Sequence, residues 1–311
     1  MPRKKKQPVE ESKPAFRAGF AAIIGKPNVG KSTLMNYFIG DKVAIVSDKP
    51  QTTRRLIRGI LTRDDAQVVF IDTPGIHRPQ HALGKHMVRA ATQSLEGVDV
   101  IVFVVDGSRM PTHEDEEIAD LLKARARAPI LLVLNKMDLL KREMVGEVTE
   151  AFLNLVKFDD WMRTSVTREE NLDKLLNQIL ARLPAGEPLF DLDALTDLSM
   201  QWMAAEFIRE PILQLTRQEI PHAVAVGLEE WQDRSEKLTF IAATIWVEKD
   251  SQKSIIIGEG GSMLKKIGQL ARKEIERMVG HSIFLELTVR VREKWRRDEQ
   301  MLNELGYGEG S

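Results

Sequence analysis

Four short apolar runs punctuate the first half of the chain: AGFAAIIG, AQVVFIDTPG, DVIVFVVDGS and APILLVLNKMD. Each is rich in Val and Ile and apolar at consecutive rather than alternate positions. A strand has this character when helices cover both of its faces, as in a parallel sheet. Stretches with helical character lie between the runs, at Lys31–Phe38, His113–Arg127 and Leu172–Leu183. Alternation of this kind predicts a doubly wound α/β domain over residues 16–183. The segment LPAGEPLFDLD, with Pro184, Gly186 and Pro188, reads as a linker, placed at 184–198. Beyond it the period changes. A helix is expected over Ser199–Gln218, kinked or broken at Pro211. Two strands follow, Ala223–Leu228 and Leu238–Val247, then a Gly-rich turn, a helix ending near Val279 and an alternating strand, Ile283–Val291. Residues 199–311 therefore read as a second, α+β unit.

Composition changes this picture little. A chain of 311 residues, 43% hydrophobic and 29% charged, can bury two separate cores. The formal net charge of −1 means that any basic surface must be local. There is no cysteine, which excludes disulfides, thiolate metal sites and Cys nucleophiles, and a cytoplasmic location fits that best. The start, MPRKKKQPVEESKP, is basic but is not followed by the apolar stretch of a secretory signal, and no run is long enough to span a membrane. Arg3, Lys4, Lys5 and Lys6 read either as a solvated tail over residues 1–15 or as a weak electrostatic arm for RNA or an anionic membrane surface.

The chemistry is concentrated at the ends of the apolar runs. GKPNVGKS, Gly25–Ser32, stands between a strand and a helix and has the phosphate-loop pattern. Backbone N–H groups of such a loop, here through Gly25, Lys26, Asn28, Val29, Gly30 and Thr33, point at phosphate oxygens where the helix N-terminus concentrates positive charge. Lys31 is expected on the β- and γ-phosphates and Ser32 on Mg²⁺. Asp72-Thr73-Pro74-Gly75 ends a second run, which places Asp72 near the metal and the Gly75 amide near the γ-phosphate. Asn135-Lys136-Met137-Asp138 ends another. Its Asp138 carboxylate can accept N1–H and N2–H₂ of guanine, a donor pair that adenine lacks, while Asn135 and Lys136 brace the base and the loop. In Ser165-Val166-Thr167 a backbone amide can meet the guanine O6. Together these point to GTP, with Lys31, Thr53 and Gly75 as the residues that carry hydrolysis. Thr53, in VSDKPQTTRRLIRG, is the choice for a switch threonine closing on Mg²⁺, and Thr52 is the alternative. The stretch IHRPQHALGKHM after Gly75 reads as a second mobile switch. Where many GTPases place a water-orienting Gln after this glycine the chain has Ile76, so slow intrinsic turnover is expected. His77, His81 and His86 read as scattered loop histidines rather than a metal site. A dinucleotide fold is excluded, because no GxGxxG opens the first βα unit.

The second unit carries SIIIGEGGSMLKKIGQLARKEI. A GxxG turn before an amphipathic helix resembles a type II KH domain, whose loop clamps single-stranded RNA. That likeness makes Lys253, Ile257, Gly258, Glu259, Gly260, Gly261, Lys265, Lys266, Arg272 and Lys273 the expected RNA contacts. Ile257, Leu264 and Ile267 should face the sheet, leaving Lys265 and Lys266 free. Residues 251–297 hold 11 Lys and Arg against 5 Asp and Glu, a basic patch within a neutral chain. Glu259 stands where KH domains usually have Lys, which should weaken phosphate contact at the turn.

The set GKPNVGKS, DTPG, NKMD and SVT resembles the translation-factor-related GTPases. With PQTTRR, DTPGIH, LNKMDLL, AAEFIRE, SQKSIIIGEGG and LGYGEGS, the likeness narrows to the Era-type bacterial ribosome-assembly GTPases, over nearly the whole chain from Phe16 to Tyr307. Departures from that pattern are Val166 for Ala, Glu259 for Lys, and Pro211. The resemblance implies a P-loop GTPase domain followed by a type II KH domain. It further implies GTP/GDP and Mg²⁺ as ligands, and GTP-dependent binding to the 3′ end of small-subunit (16S) rRNA during assembly of the small ribosomal subunit. A monomer with weak peripheral membrane association belongs to the same expectation. GTPases with Asn at the place of Asn28 often bind K⁺ there, so Asn28 is expected either to hold K⁺ over the phosphates or to shape the loop. Two rival readings remain: an RNA-binding module whose nucleotide domain barely turns over, and a metabolic or tRNA-modification GTPase.

Overall fold

The computed structural model of the chain describes residues 15–76, 81–218 and 220–307. The basic tail, His77 and the end of LGYGEGS lie outside them. The first unit runs β1 (Arg17–Ile24), α1 (Lys31–Ile39), β2 (Ile57–Thr62), β3 (Ala66–Asp72), α2 (Ala82–Gln93) and β4 (Val100–Asp106). It continues through α3 (His113–Arg125), β5 (Ile130–Asn135), α4 (Val145–Leu153), β6 (Asp160–Arg163) and α5 (Leu172–Arg182). The sheet order is β2-β3-β1-β4-β5-β6, with β2 antiparallel to β3 and every other pair parallel. β3, β4 and β5 are buried at every position, which is why their sequences carry no alternation. The two faces close into separate cores, one centred on Leu34, Phe70 and Leu175, the other on Phe103, Leu132 and Phe152.

The second unit comprises α6 (Met200–Leu215), α7 (Ile220–Ala223), β7 (Ala225–Ser235), β8 (Leu238–Val247), α8 (Asp250–Ile257), α9 (Ser262–Val279), β9 (Ser282–Val291) and α10 (Glu299–Glu304). Its sheet order is β7-β8-β9, with β7 antiparallel and β9 parallel to β8. Ile267, Ala271 and Ile275 bury one stripe of α9 against it.

Several expectations are corrected. The chain does not break at Pro211: α6 stays helical across it, although a proline offers no N–H to the turn before. Burial on all sides of Phe207–Leu213 holds the helix together there. The first strand of the second unit begins at Ala225, after a short helical turn, and extends to Ser235 through the polar sequence EEWQDRS. Strands β2 and β6 were not anticipated, and residues 82–87, read as switch, begin helix α2. Leu83 and Met87 are buried there beside Trp295, Met301 and Leu302 of the second unit.

The connection over 184–198 is laid along the first sheet rather than looped away from it. The Ile60 amide donates to the Leu195 carbonyl (2.9 Å), and Gln67 bonds the backbone of Leu189 and Phe190 at 2.7–3.0 Å. The buried Gln67 side chain thereby satisfies three backbone groups of the connection. The connection is thus bonded to the β2–β3 edge of the first sheet.

Candidate nucleotide site and candidate RNA-binding turn

The carboxyl ends of β1, β3 and β5 open into a cavity of about 450 Å³ lined by Asn28, Lys31, Ser32, Thr53, Gly75, Asn135, Asp138 and Val166, among others. Strand register builds it: Ile23 pairs with Asp72 across β1–β3, and Asp106 with Asn135 across β4–β5. Ligands of open α/β sheets gather at this edge, where loops diverge to either face.

The phosphate loop leaves β1 and enters α1 at Gly30, which has φ 104°. A Cβ on Gly30 would sit 2.4 Å from Asn135 Nδ2, and one on Gly25 would sit 2.2 Å from the Val104 carbonyl oxygen. Only glycine permits both approaches. Lys31 lies under the loop, with Nζ 3.0 Å from the carbonyl oxygens of Gly25 and Lys26. Burial pushes its ammonium down to about 8, with the Asp72 carboxylate pulling the other way. Asn28 adopts the left-handed conformation (φ 63°) and donates to the Asp48 carbonyl (2.5 Å). Thr33 lines the cavity behind Ser32.

Asp72 is fully buried. Its Oδ2 accepts from Ser32 Oγ (2.6 Å) and Thr53 Oγ1 (3.2 Å), and these two hydroxyls are 3.0 Å apart. Asp72 Oδ1 is buried without a partner. Burial raises the Asp72 carboxyl above its ordinary range, against Lys31 and the hydrogen bonds from Ser32 and Thr53. Two hydroxyl oxygens beside a desolvated carboxylate with one unpartnered oxygen make a hard donor set that suits Mg²⁺, and the arrangement fits that ion. The geometry also separates the two threonines, because Thr52 Oγ1 donates instead to the Lys49 carbonyl (2.7 Å).

At the other end, Asn135 Nδ2 donates to the Val29 carbonyl (2.8 Å), while its Oδ1 accepts from the Val166 amide (3.1 Å) and Thr164 Oγ1 (3.4 Å). This one side chain ties the phosphate loop to the 165–167 turn. Asp138 Oδ1 accepts from Ser165 Oγ (2.7 Å), which in turn lies 3.3 Å from Thr167 Oγ1. Lys136, in the left-handed conformation, reaches Asp106 Oδ2 (3.3 Å).

Not every expected residue faces the cavity with its side chain. Lys26 turns away to Asp115 Oδ2 (2.6 Å) and Thr112 Oγ1 (3.0 Å), the two side chains that form the capping box of α3, and Val29 is buried in the core. Both have only backbone to offer a nucleotide. Ile76 packs against the second core. Val46, Ser47 and Asp48 open the segment read as a switch, but that they form a wall of the cavity together with Ile45 was not anticipated. No motif marks these four as lining residues, and only their place in the fold reveals it. His86 Nε2 pairs with Glu299 Oε2 (2.8 Å), and no cluster of three metal-ligating side chains occurs among the described residues.

In the second unit, Gly258, Glu259, Gly260 and Gly261 form the turn between α8 and α9. Gly260 (φ 57°) and Gly261 (φ 80°) are left-handed with open space around them, whereas a Cβ on Gly258 would meet Met263 at 2.7 Å. Glu259 and Gly260 are exposed, as are Lys265, Lys266, Arg272 and Lys273 on α9, with Lys253 and Ile257 half-buried on α8. The α9 cations recur at a spacing of seven residues, two turns, and so share the face opposite Ile267 and Ala271.

Two family models match: 50S ribosome-binding GTPase over residues 20–136, and KH domain over residues 219–296. GTPase Era of Geobacter metallireducens is 47% identical over 293 residues, 94% of this chain and 98% of that protein. The chain belongs to the Era family of GTPases. Thermotoga maritima GTPase Era is 46% identical over 296 residues, again 94% of this chain. A crystal structure of Era in complex with MgGDPNP and nucleotides 1506–1542 of 16S ribosomal RNA superposes with a TM-score of 0.88 at 39% identity, covering 94% of this chain and 99% of that one. A variant of Aquifex aeolicus Era bound to GDP and AlF4⁻ gives the same score, identity and share of this chain.

The Era-type site has a steric test. A Cβ on Gly75 would lie 2.6–2.8 Å from Pro27 ring and backbone atoms, so Gly75→Ala must displace the phosphate loop. Isothermal titration should show nucleotide affinity reduced at least tenfold, with the urea midpoint close to that of the parent protein.

Proposed function

We propose that this chain hydrolyses GTP with Mg²⁺ and holds the single-stranded 3′ end of small-subunit (16S) rRNA while the small ribosomal subunit is assembled. The observation that carries this reading is one chain with both a cavity lined by the phosphate loop, Asn135 and Asp138 and a Gly-rich turn flanked by the cations of α9. The Era structure noted above holds a nucleotide with Mg²⁺ and 16S rRNA together. Residues 16–183 act as the GTPase domain and 199–311 as the KH domain, joined by 184–198.

In the cavity, the Asp138 carboxylate takes N1–H and N2–H₂ of guanine, and an amide of the Ser165-Val166-Thr167 turn meets O6. Asn135 and Lys136 hold that end together. Backbone amides of Gly25, Lys26, Asn28, Val29, Gly30 and Thr33 line the phosphates. Lys31 exchanges the two carbonyls it now touches for β- and γ-phosphate oxygens, regaining the full charge that burial erodes. Ser32 and Thr53 would hold Mg²⁺ directly, and Asp72 through water. When bound, Mg²⁺ neutralises charge that accumulates on the phosphate oxygens as the bond breaks. The Gly75 amide completes the γ-phosphate end.

Ile76 gives the attacking water no hydrogen bond, so the missing stabilisation comes from elsewhere. We assign it to K⁺ at Asn28, whose amide already bridges the phosphate loop to Asp48 of the switch. The alternative for Asn28 is loop geometry alone, which its left-handed backbone favours. A second reading, an RNA-binding module with negligible turnover, draws on Ile76. Hydrolysis that rises on adding RNA separates it from the first.

In the KH domain, Gly258, Gly260 and Gly261 let the RNA backbone approach, Ile257 supplies apolar contact, and Lys253, Lys265, Lys266, Arg272 and Lys273 contact phosphates. Glu259 opposes them at the turn, so affinity rests on the helix cations. No helix among the described residues is long and apolar enough to cross a membrane. We extend the reading to a cytoplasmic monomer whose basic tail gives at most weak contact with an anionic membrane surface.

Replacing K⁺ by Na⁺ in a single-turnover assay should slow hydrolysis severalfold, and equal rates would remove K⁺ from the account. Gly260→Asp with Gly261→Asp should lower affinity for a 16S 3′-end fragment at least tenfold by filter binding, with GTP affinity unchanged. Unaltered RNA binding would refute the clamp.

A further inference from the structure

The threonine at the Asp72 carboxylate is held there from the other unit. Residues 52, 53 and 54 are consecutive, and the two that flank Thr53 are both anchored on the second unit. The carbonyl of Thr52 accepts a hydrogen bond from Nη2 of Arg209, on α6, and Arg209 is fully buried. The Arg209 guanidinium is fixed in turn by Glu206, at 2.8 Å through Nε and 2.5 Å through Nη2. On the other side, Arg54 crosses into the second unit and donates from Nη1 to the Val224 carbonyl (2.7 Å) and from Nη2 to the Pro221 carbonyl (3.1 Å). Its guanidinium lies 5.7 Å from the ring centroids of both Trp295 and Tyr307. Further back along the same segment, Glu210 of α6 accepts from the Val46 amide (3.0 Å) and from Lys42 Nζ (2.5 Å).

We infer that Arg209 and Arg54 are positioning residues for the Mg²⁺-binding threonine, so that the RNA-binding unit completes the metal site of the GTPase unit. This rests on the reading of Thr53 as a Mg²⁺ ligand. With the Thr52 carbonyl and the Arg54 side chain fixed, the Thr53 hydroxyl has little freedom except to face Ser32 and Asp72. If the switch left Asp72, two buried guanidinium groups would lose acceptors in a region from which water is excluded, a costly loss. The second unit would therefore have to shift with it. Binding linkage makes the effect reciprocal: whatever favours Thr53 at the metal site favours this docking of the RNA-binding unit, by the same factor. Neither arginine touches nucleotide or metal, so each acts through the backbone of the switch.

The test uses the full chain and a fluorescent non-hydrolysable GTP analogue titrated at a series of Mg²⁺ concentrations, with GDP in parallel. Arg54→Lys and Arg209→Lys keep the charge but cannot make both sets of bonds. Each should raise the Mg²⁺ concentration for half-maximal analogue affinity about tenfold while shifting GDP affinity less than twofold. Thr53→Ala is the control for the underlying reading, and unchanged Mg²⁺ dependence in that variant would sink the ligand assignment itself. Loss of dependence in Thr53→Ala with normal dependence in both Arg variants would overturn the positioning role alone. Should the Arg variants fail to fold, hydrogen exchange on the parent protein decides. Amides of residues 205–213 and 222–226 should exchange more slowly with analogue plus Mg²⁺ than with analogue plus EDTA, and equal exchange would overturn the inference.

Discussion

A carboxylate taken out of water at the end of β3 is the constraint around which the rest of the molecule is arranged. Asp72 is fully buried, keeps one oxygen without a partner and shares its neighbourhood with the buried Lys31. Desolvation disfavours the charge on each: Asp72 is raised and Lys31 lowered from their ordinary ranges. Such a pair is tolerable in a resting protein because the two charges offset each other. It becomes favourable when a polyanion and a divalent cation enter together and satisfy both. The six-stranded sheet exists, functionally, to fix this pair: β1–β3 register places Ile23 beside Asp72, and the Thr73 hydroxyl bonds the Ile23 carbonyl at 2.9 Å.

The same economy of buried charge governs the seam between the units. Arg54, Arg209, Glu206 and Glu210 are all nearly inaccessible, and Tyr307 and Trp295 close over them. Buried ion networks of this kind contribute little net stability, yet breaking one member is expensive. They therefore act less as glue than as a device that permits one arrangement and penalises intermediates. Its location decides its consequence, since the network meets the GTPase unit at the residues next to Thr53. An RNA-binding domain hung on a flexible linker would have no such means of sensing nucleotide. Here the connection over 184–198 is itself bonded along β2 and β3.

What was legible in the sequence follows the range of the interactions. β1, β3, β4 and β5 announce themselves because burial on both faces demands consecutive apolar residues. The nucleotide motifs are legible because each is a local loop whose residues act together. Strand β2 is masked by the arginines of RRLIRGILT, and the outer half of β7 by its exposed polar sequence. The chain does not break at Pro211 because helix propensity is a local quantity and the burial that overrides it is not. Lys26 sits inside a nucleotide motif, yet its side chain serves α3, a partner 89 positions away. The seam was illegible for the same reason: Arg209 and the Thr52 carbonyl are 157 positions apart, and Arg54 and Val224 are 170. No pattern within either segment hints at the other.

Nucleotide state and RNA binding are, in this account, two readings of one docked arrangement. The most direct measurement is the affinity of a single-stranded 16S rRNA 3′-end fragment for the full chain, taken with GDP and then with a non-hydrolysable GTP analogue and Mg²⁺. The account predicts clearly different affinities, tighter with the analogue. Equal affinities would mean two independent activities on one chain, and would contradict the coupling on which the account turns.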